Sequence, residues 1–150
     1  MAIQSPGKIT PFLWYDGNAE EAVDFYCSIF PHSKKGSILP GPDGKPLTIS
    51  FELEGQGFAA LNGGPTYKFT RAVSFFVNCK DQAEIDHYWT KLSEDGGEEL
   101  QCGWLEDKFG LAWQIVPENV LQLVKHPKAF EAMLKMKKLI IADLENAAKE

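Results

Sequence analysis

Cysteine is scarce in this chain of 150 residues: Cys27, Cys79 and Cys102 are well separated and odd in number. No C-x-x-C pair occurs, so neither a disulfide framework nor a zinc knuckle is indicated. Reduced thiols in a cytoplasm are the simplest expectation. Histidine is equally sparse, with His32 in a loop after Pro31, His87 on the polar flank of a helix and His126 before Pro127. No apolar run approaches about 18 residues, and MAIQSPGKITP lacks the apolar core of a signal peptide. Positive charge is in deficit: 15 Lys plus Arg against 21 Asp plus Glu leave a net charge of -6. That balance argues against nucleic acid and acidic membrane surfaces as partners.

A phosphate-cradling glycine turn is missing too. The sole G-x-G, Gly55-Gln56-Gly57, falls between two strands and not between a strand and a helix, so a Rossmann-like cofactor site is not expected. Neither a P-loop nor a Ser-His-Asp set occurs. No cofactor is expected.

What remains is ordinary globular material, 44% hydrophobic and 24% charged, with enough length for a sizeable core. Lys8 to Tyr15 is rich in β-formers and predicts a strand. Asn18 then predicts a helix cap, with Glu21 three residues on as a variant capping box. Ala19, Ala22, Val23, Tyr26 and Phe30 form the core stripe of that helix, and Pro31 ends it. Glycine and proline from Gly36 to Pro46 predict a hairpin-like loop. Strands are predicted over Leu47 to Leu53 and Phe58 to Leu61, closed by Asn62-Gly63-Gly64-Pro65.

The pattern then repeats. Ala72 to Val77 predicts a strand, and Asp81 to Leu92 a helix carrying Ile85, Tyr88, Trp89 and Leu92 on one stripe. Gly96-Gly97 stops it. Short strands are expected around Glu98 to Gln101, Gly103 to Glu106 and Leu111 to Val116. Each half reads β-α-β-β-β. From Pro127 to Ala148 one long helix is predicted, its stripe formed by Ala129, Met133, Met136, Ile140, Leu144 and Ala147. Phe130, Leu134 and Ile141 widen that stripe, which points to packing on the sheet and on a second subunit.

The segments ITPFLWYDGNAEEAVDFY, FAALNGGP and DKFGLAWQIVP together resemble the PhnB-like branch of the glyoxalase/bleomycin-resistance (vicinal oxygen chelate) superfamily, over about Lys8 to Leu144. The resemblance implies paired βαβββ modules with each sheet curled into a half-cup, usually in a homodimer. Its members often carry the label 3-demethylubiquinone-9 3-methyltransferase. It also implies a divalent ion held by a His or Gln early in each module's first strand and a Glu in its last. Carried over residue by residue, those places fall on Thr10, on Leu61 or Asn62, on Ala72 and on Gln114. This set makes no divalent site, and no metal is expected.

Strand parity puts Leu13 and Tyr15 toward the helix and leaves Thr10, Phe12 and Trp14 toward the cup. By the same alternation Val73, Phe75 and Val77 take the helix side, while Ala72, Ser74 and Phe76 face inward. In the last strand Leu111, Trp113 and Ile115 pack, while Ala112, Gln114 and Val116 face the cup. Trp113 reads as core; Cys102 reads as a structural thiol. Glu106 and Asp107 read as solvated carboxylates at a turn, with Asp107 capping DKFG through its own backbone.

The expectation is therefore an α+β protein, one PhnB-like domain over 1–150. Module one covers about 8–65, module two about 71–117, and a C-terminal helical segment about 127–148. The cup is expected to bind a small, mostly apolar organic molecule without a metal, through Thr10, Phe12, Trp14, Asn62, Ser74, Phe76 and Gln114. The alternative is an enzyme of the superfamily, of lyase, isomerase or dioxygenase type, or the methyl transfer of the family label. A cytoplasmic homodimer is expected.

Overall fold

The computed structural model describes residues 7–150, so the reading of residues 1–6 as lacking a signal core lies outside the described part. The chain divides into two compact units, one up to Lys68 and one from Phe69 onward. Each holds a four-stranded mixed sheet with helices, and neither sheet is a closed barrel. The expected α+β class with paired βαβββ modules is what the chain adopts.

In the first unit the elements are β1 (Phe12–Tyr15), α1 (Ala19–Ile29), β2 (Ser33–Pro40), β3 (Pro46–Leu53) and β4 (Gln56–Asn62). The sheet order is β1-β4-β3-β2, with β1 and β4 parallel and the other pairs antiparallel. Helix α1 buries Ala19, Ala22, Val23 and Tyr26 as its stripe demands. Tyr26 lies over Phe51 with ring centroids 6.3 Å apart, and its hydroxyl is 3.1 Å from that of Tyr15. Leu13, Tyr15, Ile49 and Phe51 therefore form the helix side of this sheet. Glu54 and Gly55, both at positive φ, make the two-residue turn that joins β3 to β4.

Two expectations need correction here. Thr10 precedes the strand, because β1 begins at Phe12; Pro11 has no N–H for the ladder, although its carbonyl accepts from Ala59 at 3.0 Å. Much of the segment read as a loop from Gly36 is β2, an edge strand exposed along nearly its whole length. Lysines, Pro40 and a register shift between Lys35 and Ile38 blunt that edge and erase the alternation that marks a half-buried strand.

The second unit runs β5 (Ser74–Cys79), α2 (Gln82–Ser93), β6 (Glu98–Glu99), β7 (Trp104–Glu106) and β8 (Ala112–Pro117), in sheet order β5-β8-β7-β6. Asp81 caps α2 by accepting from the Glu84 amide at 2.9 Å. Ile85, Tyr88, Trp89 and Leu92 are buried as predicted. The strand starts at Ser74, so Ala72 lies in a turn and Val73 is 64% exposed and not on the helix side.

The C-terminal segment departs most from expectation. It forms α3 (Val120–Leu123), α4 (Pro127–Leu134) and α5 (Ile141–Ala147), and not one long helix. The break has tertiary causes. Carbonyls of Met136 and Lys137 accept from the amides of Cys102 and Gly103 at 2.8 and 2.9 Å. Gln82 spans the next gap, donating to the Leu139 carbonyl at 3.0 Å and accepting from the Ile141 amide at 2.8 Å. Those groups are thereby lost to a helix, and local propensity yields. Leu139, not Ile140, becomes the fully buried residue. It joins Val116, Val120, Leu123 and Leu144 in one cluster, with Met133 and Met136 packed against it. Val116 is thus enclosed by its own C-terminal segment and does not face a cup. Among the described residues no helix is long and apolar enough to cross a membrane.

Candidate functional site

Directly paired residues on neighbouring strands point to the same face, so the registers define what each sheet presents away from its helix. In the first unit one row is Trp14, Leu61, Thr48 and Leu39, and the row beside it is Phe12, Ala59 and Ser50. Phe12 is 53% exposed, whereas Ala59 is fully buried as the small residue between larger neighbours. Ser50 is engaged with the β2 irregularity, accepting from the Ser37 amide at 2.9 Å. Thr48 is buried, and its hydroxyl has no hydrogen-bond partner among the described residues.

Trp14 is held firmly. Its indole N–H donates to the Gly64 carbonyl at 2.8 Å, and Tyr67 meets it edge-on at 4.9 Å between centroids. A Cβ on Gly63 would lie 2.3 to 2.6 Å from indole carbons of Trp14, so the Gly63-Gly64 segment closes onto the ring because Gly63 lacks a side chain there. The tryptophan belongs to the helix-free face and anchors a loop as well.

The register also decides between Leu61 and Asn62. Leu61 pairs with Trp14 and shares its face; Asn62 pairs with Tyr15 and lies on the helix side. There the Asn62 carboxamide is bonded at both ends: its oxygen accepts from the Ala19 amide at 2.9 Å, and its nitrogen donates to the Pro46 carbonyl at 2.9 Å. Asn62 caps α1 from β4, and Asn18 makes no side-chain cap bond. The predicted Asn18 cap is therefore corrected, and no local signal reveals a cap that comes from 43 residues away. A cleft of about 530 Å³ adjoins Asn62, lined by Gly17, Glu20, Asp43, Lys45 and Leu47. It opens beside the start of α1, on the side of Asn62, and the Trp14–Leu61 row does not line it.

The second unit repeats the layout with different chemistry. One row is Phe76, Gln114 and Trp104; the next is Ser74, Ala112, Glu106 and Glu98. Gln114 sits between two aromatic residues and donates from its amide nitrogen to the Ser74 hydroxyl at 2.9 Å. Phe76 is 45% exposed, and Trp104 is half-buried. Arg71 ties the neighbouring carboxylates together, at 2.6 Å from Glu106 and 3.2 Å from Glu98. The Glu106 hydrogen bond raises the guanidinium pKa above its ordinary value. Trp104 and Glu106 join this face only through the β7–β8 register, so the sequence reading of Glu106 as a plain turn carboxylate missed its place.

On the opposite face Trp113 is core, 5.5 Å from Phe75 between ring centroids. Asp107 is only 2% exposed, which corrects its reading as solvated. Its carboxylate accepts from the amides of Phe109 and Leu111 at 2.9 and 3.1 Å, and from the Trp113 indole at 2.9 Å. The expected cap of the DKFG turn is present and reaches into the core. Cys79 is buried, and burial above all pushes its thiol up to about 12, which keeps it protonated and unreactive. Cys102 takes a positive φ of 62° in the turn before β7.

The four metal positions implied by resemblance are now placed: Thr10 before β1, Leu61 on β4, Ala72 before β5 and Gln114 on β8. Leucine and alanine offer no donor, and the glutamine amide is turned to a serine. Among the described residues no three His, Cys, Asp or Glu side chains converge on a point. These residues do not fit a divalent cation, and no chemical step is derived through one.

Two βαβββ sheets, each with one face turned away from α1 or α2, define the class: the fold is that of the glyoxalase/bleomycin-resistance (vicinal oxygen chelate) superfamily. The 3-demethylubiquinone-9 3-methyltransferase family model matches residues 7–116, and the chain belongs to that family. It is similar to the PhnB protein from Bacillus cereus, assigned by name to the 3-demethylubiquinone-9 3-methyltransferases, at 35% identity and a TM-score of 0.66, covering 72% of this chain and 97% of that one. A glyoxalase/bleomycin resistance protein from Albidiferax ferrireducens shares the fold at 10% identity and a TM-score of 0.50, covering 71% and 95% of the two chains. So does a point mutant of the fosfomycin resistance protein FosX from Listeria monocytogenes, solved with manganese(II) and 1S,2S-dihydroxypropylphosphonic acid, at 13% identity and 0.53, covering 73% and 90%. No curated protein matches the chain.

Proposed function

We propose that this protein binds a small, mostly apolar organic molecule on the sheet faces turned away from α1 and α2, without a metal, and works as a cytoplasmic homodimer. One observation carries the reading. At the place where the family resemblance implies a carboxylate, Gln114 stands between Phe76 and Trp104 with its amide bonded to Ser74. A neutral polar pair between aromatic walls suits an uncharged organic ligand. Exposed apolar side chains at Phe12, Phe76, Phe130 and Leu134 supply surface for the ligand and for a second copy.

Native mass spectrometry of the gently purified protein, paired with elemental analysis, tests the reading. The expected result is a dimer with retained organic mass and no stoichiometric metal. About one metal per chain, lost in Gln114→Ala, would overturn it.

The alternative reading is a superfamily enzyme, or the methyl transfer named by the family, and it rests on the family match through residue 116. The β1–α1 connection carries a lone Gly17 at positive φ and no G-x-G cradle. Saturable micromolar binding of S-adenosylmethionine by calorimetry would favour the alternative.

A further inference from the structure

The polar couple on the second sheet has a definite hydrogen-bonding signature. Gln114 gives one amide hydrogen to the Ser74 oxygen and keeps its carbonyl oxygen, and Ser74 keeps its own hydrogen. Turning the amide end for end would reverse every role: Ser74 would donate, and the outward groups would become an amide hydrogen and a serine lone pair. In either orientation the couple presents one donor and one acceptor side by side. The two residues are diagonal neighbours on β5 and β8, since Ser74 pairs with Ala112 and Gln114 with Phe76. The floor beside them is Ala112, fully buried and small.

The surroundings narrow the ligand further. Phe76 and Trp104 flank Gln114 in its row, so a flat ring lying along the row meets an aromatic side chain on each side of the amide. In the row beside the amide, Glu106 and Glu98 share the single Arg71, at 2.6 and 3.2 Å, so a net negative charge stays there and turns away an anionic ligand. The first unit serves as an internal control. Its matching row holds Trp14 and Leu61: an aromatic partner is kept there, the amide is not, and the polar reading belongs to the second sheet alone.

Resting on the proposed ligand-binding role, we propose that Ser74 and Gln114 read the edge of a planar, uncharged ring that carries a hydrogen-bond donor and acceptor on adjacent atoms, as in a lactam. Both hydrogen bonds are then made at once to a single edge. A ring with its donor blocked loses one bond and collides with the other.

The probes are 2-quinolone, its N-methyl derivative and naphthalene, measured by equilibrium dialysis against the full-length protein. The expected result is that 2-quinolone binds about tenfold or more tighter than N-methyl-2-quinolone, the scale of one or two neutral hydrogen bonds. Gln114→Leu, which installs the residue the first sheet carries at this place, should erase that preference by bringing 2-quinolone down to the affinity of N-methyl-2-quinolone. If Gln114→Leu fails to fold, Ser74→Ala carries the test and must reduce the preference. Binding of the probes without preference, or a preference that survives these substitutions, overturns the inference and leaves ligand binding by the sheet face standing. Failure of all three probes to bind overturns both.

Discussion

The indole N–H of Trp113 donates to Asp107 Oδ2 at 2.9 Å, inside the core and six residues back along the chain. The other carboxylate oxygen receives the Phe109 and Leu111 amides. One buried carboxylate therefore closes the DKFG turn, starts β8 and fixes the largest side chain under the sheet. Three donors converge on it, which is why a charge is tolerated there. Asp107→Asn replaces an acceptor by an amide N–H facing the indole N–H or the two backbone donors. The expected cost is about 2–4 kcal/mol in urea unfolding, the scale of leaving buried polar groups unpaired. In the Trp113→Phe background the same substitution should cost less, because one donor has gone; equal costs in both backgrounds would show that the bond is not coupled.

Asn62 and Asn18 make a paired test of where the α1 cap comes from. Asn62→Ala frees the Ala19 amide and the Pro46 carbonyl together, and the expected loss is about 1–2 kcal/mol, as for other lost caps. Asn18→Ala should stay within about 0.5 kcal/mol, the range of an ordinary surface change. Thermal unfolding of the two variants checks the order, and a reversal would put the cap back on Asn18.

This contrast shows what a one-dimensional reading can hold. Helix α2 was readable almost residue by residue, because Asp81 caps it locally and its stripe packs on one side. The alternation in β1, β5 and β8 likewise sorted Leu13 from Trp14 and Trp113 from Gln114. Strand β2 was not readable, since an edge strand needs no buried face and therefore no pattern. The break after α4 was not readable either: Gln82 and the Cys102-Gly103 amides capture its backbone from elsewhere in the fold. On the candidate faces, Ser74, Phe76 and Gln114 followed from parity, whereas Trp104 and Glu106 needed the β7–β8 register.

Thr48 offers the opposite sign from most core substitutions. Its hydroxyl is buried on the Trp14–Leu61 face and has no partner among the described residues. Thr48→Val keeps the shape and removes an unpaired polar group, so stability should hold or rise by up to about 1 kcal/mol. A clear loss in chemical unfolding would mean that the hydroxyl is hydrogen-bonded in solution.

Gly63 tests the anchoring of Trp14. Gly63→Ala places a methyl group where the indole lies, so either the loop or the ring must shift. The expected cost is about 1–3 kcal/mol, typical of overpacking, together with altered tryptophan emission. In a Trp14→Ala background the clash is gone and Gly63→Ala should cost little. A cost that persists there would trace to the backbone and not to the ring.

The last prediction concerns acid and the C-terminal segment. Lys138 lies 2.9 Å from Asp86 on α2, and that bond, with a lesser contribution from Gln82, holds the Asp86 carboxyl below its usual range. A depressed folded-state pKa stabilises the folded form above the unfolded value, near 3.9 for aspartate, and that contribution fades as pH falls through the lower folded value. The tether should therefore weaken only below about pH 4, and salt should blunt it, since both groups are substantially exposed. Gln82 is the stronger clamp, because it satisfies two backbone groups of the segment at once. Gln82→Ala should speed hydrogen exchange at the Ile141 amide at neutral pH, while Asp86→Asn should leave it nearly unchanged there and remove the acid dependence. Faster exchange in Asp86→Asn at pH 7 than in Gln82→Ala would show that the ion pair, and not the carboxamide, holds Leu139 in the core.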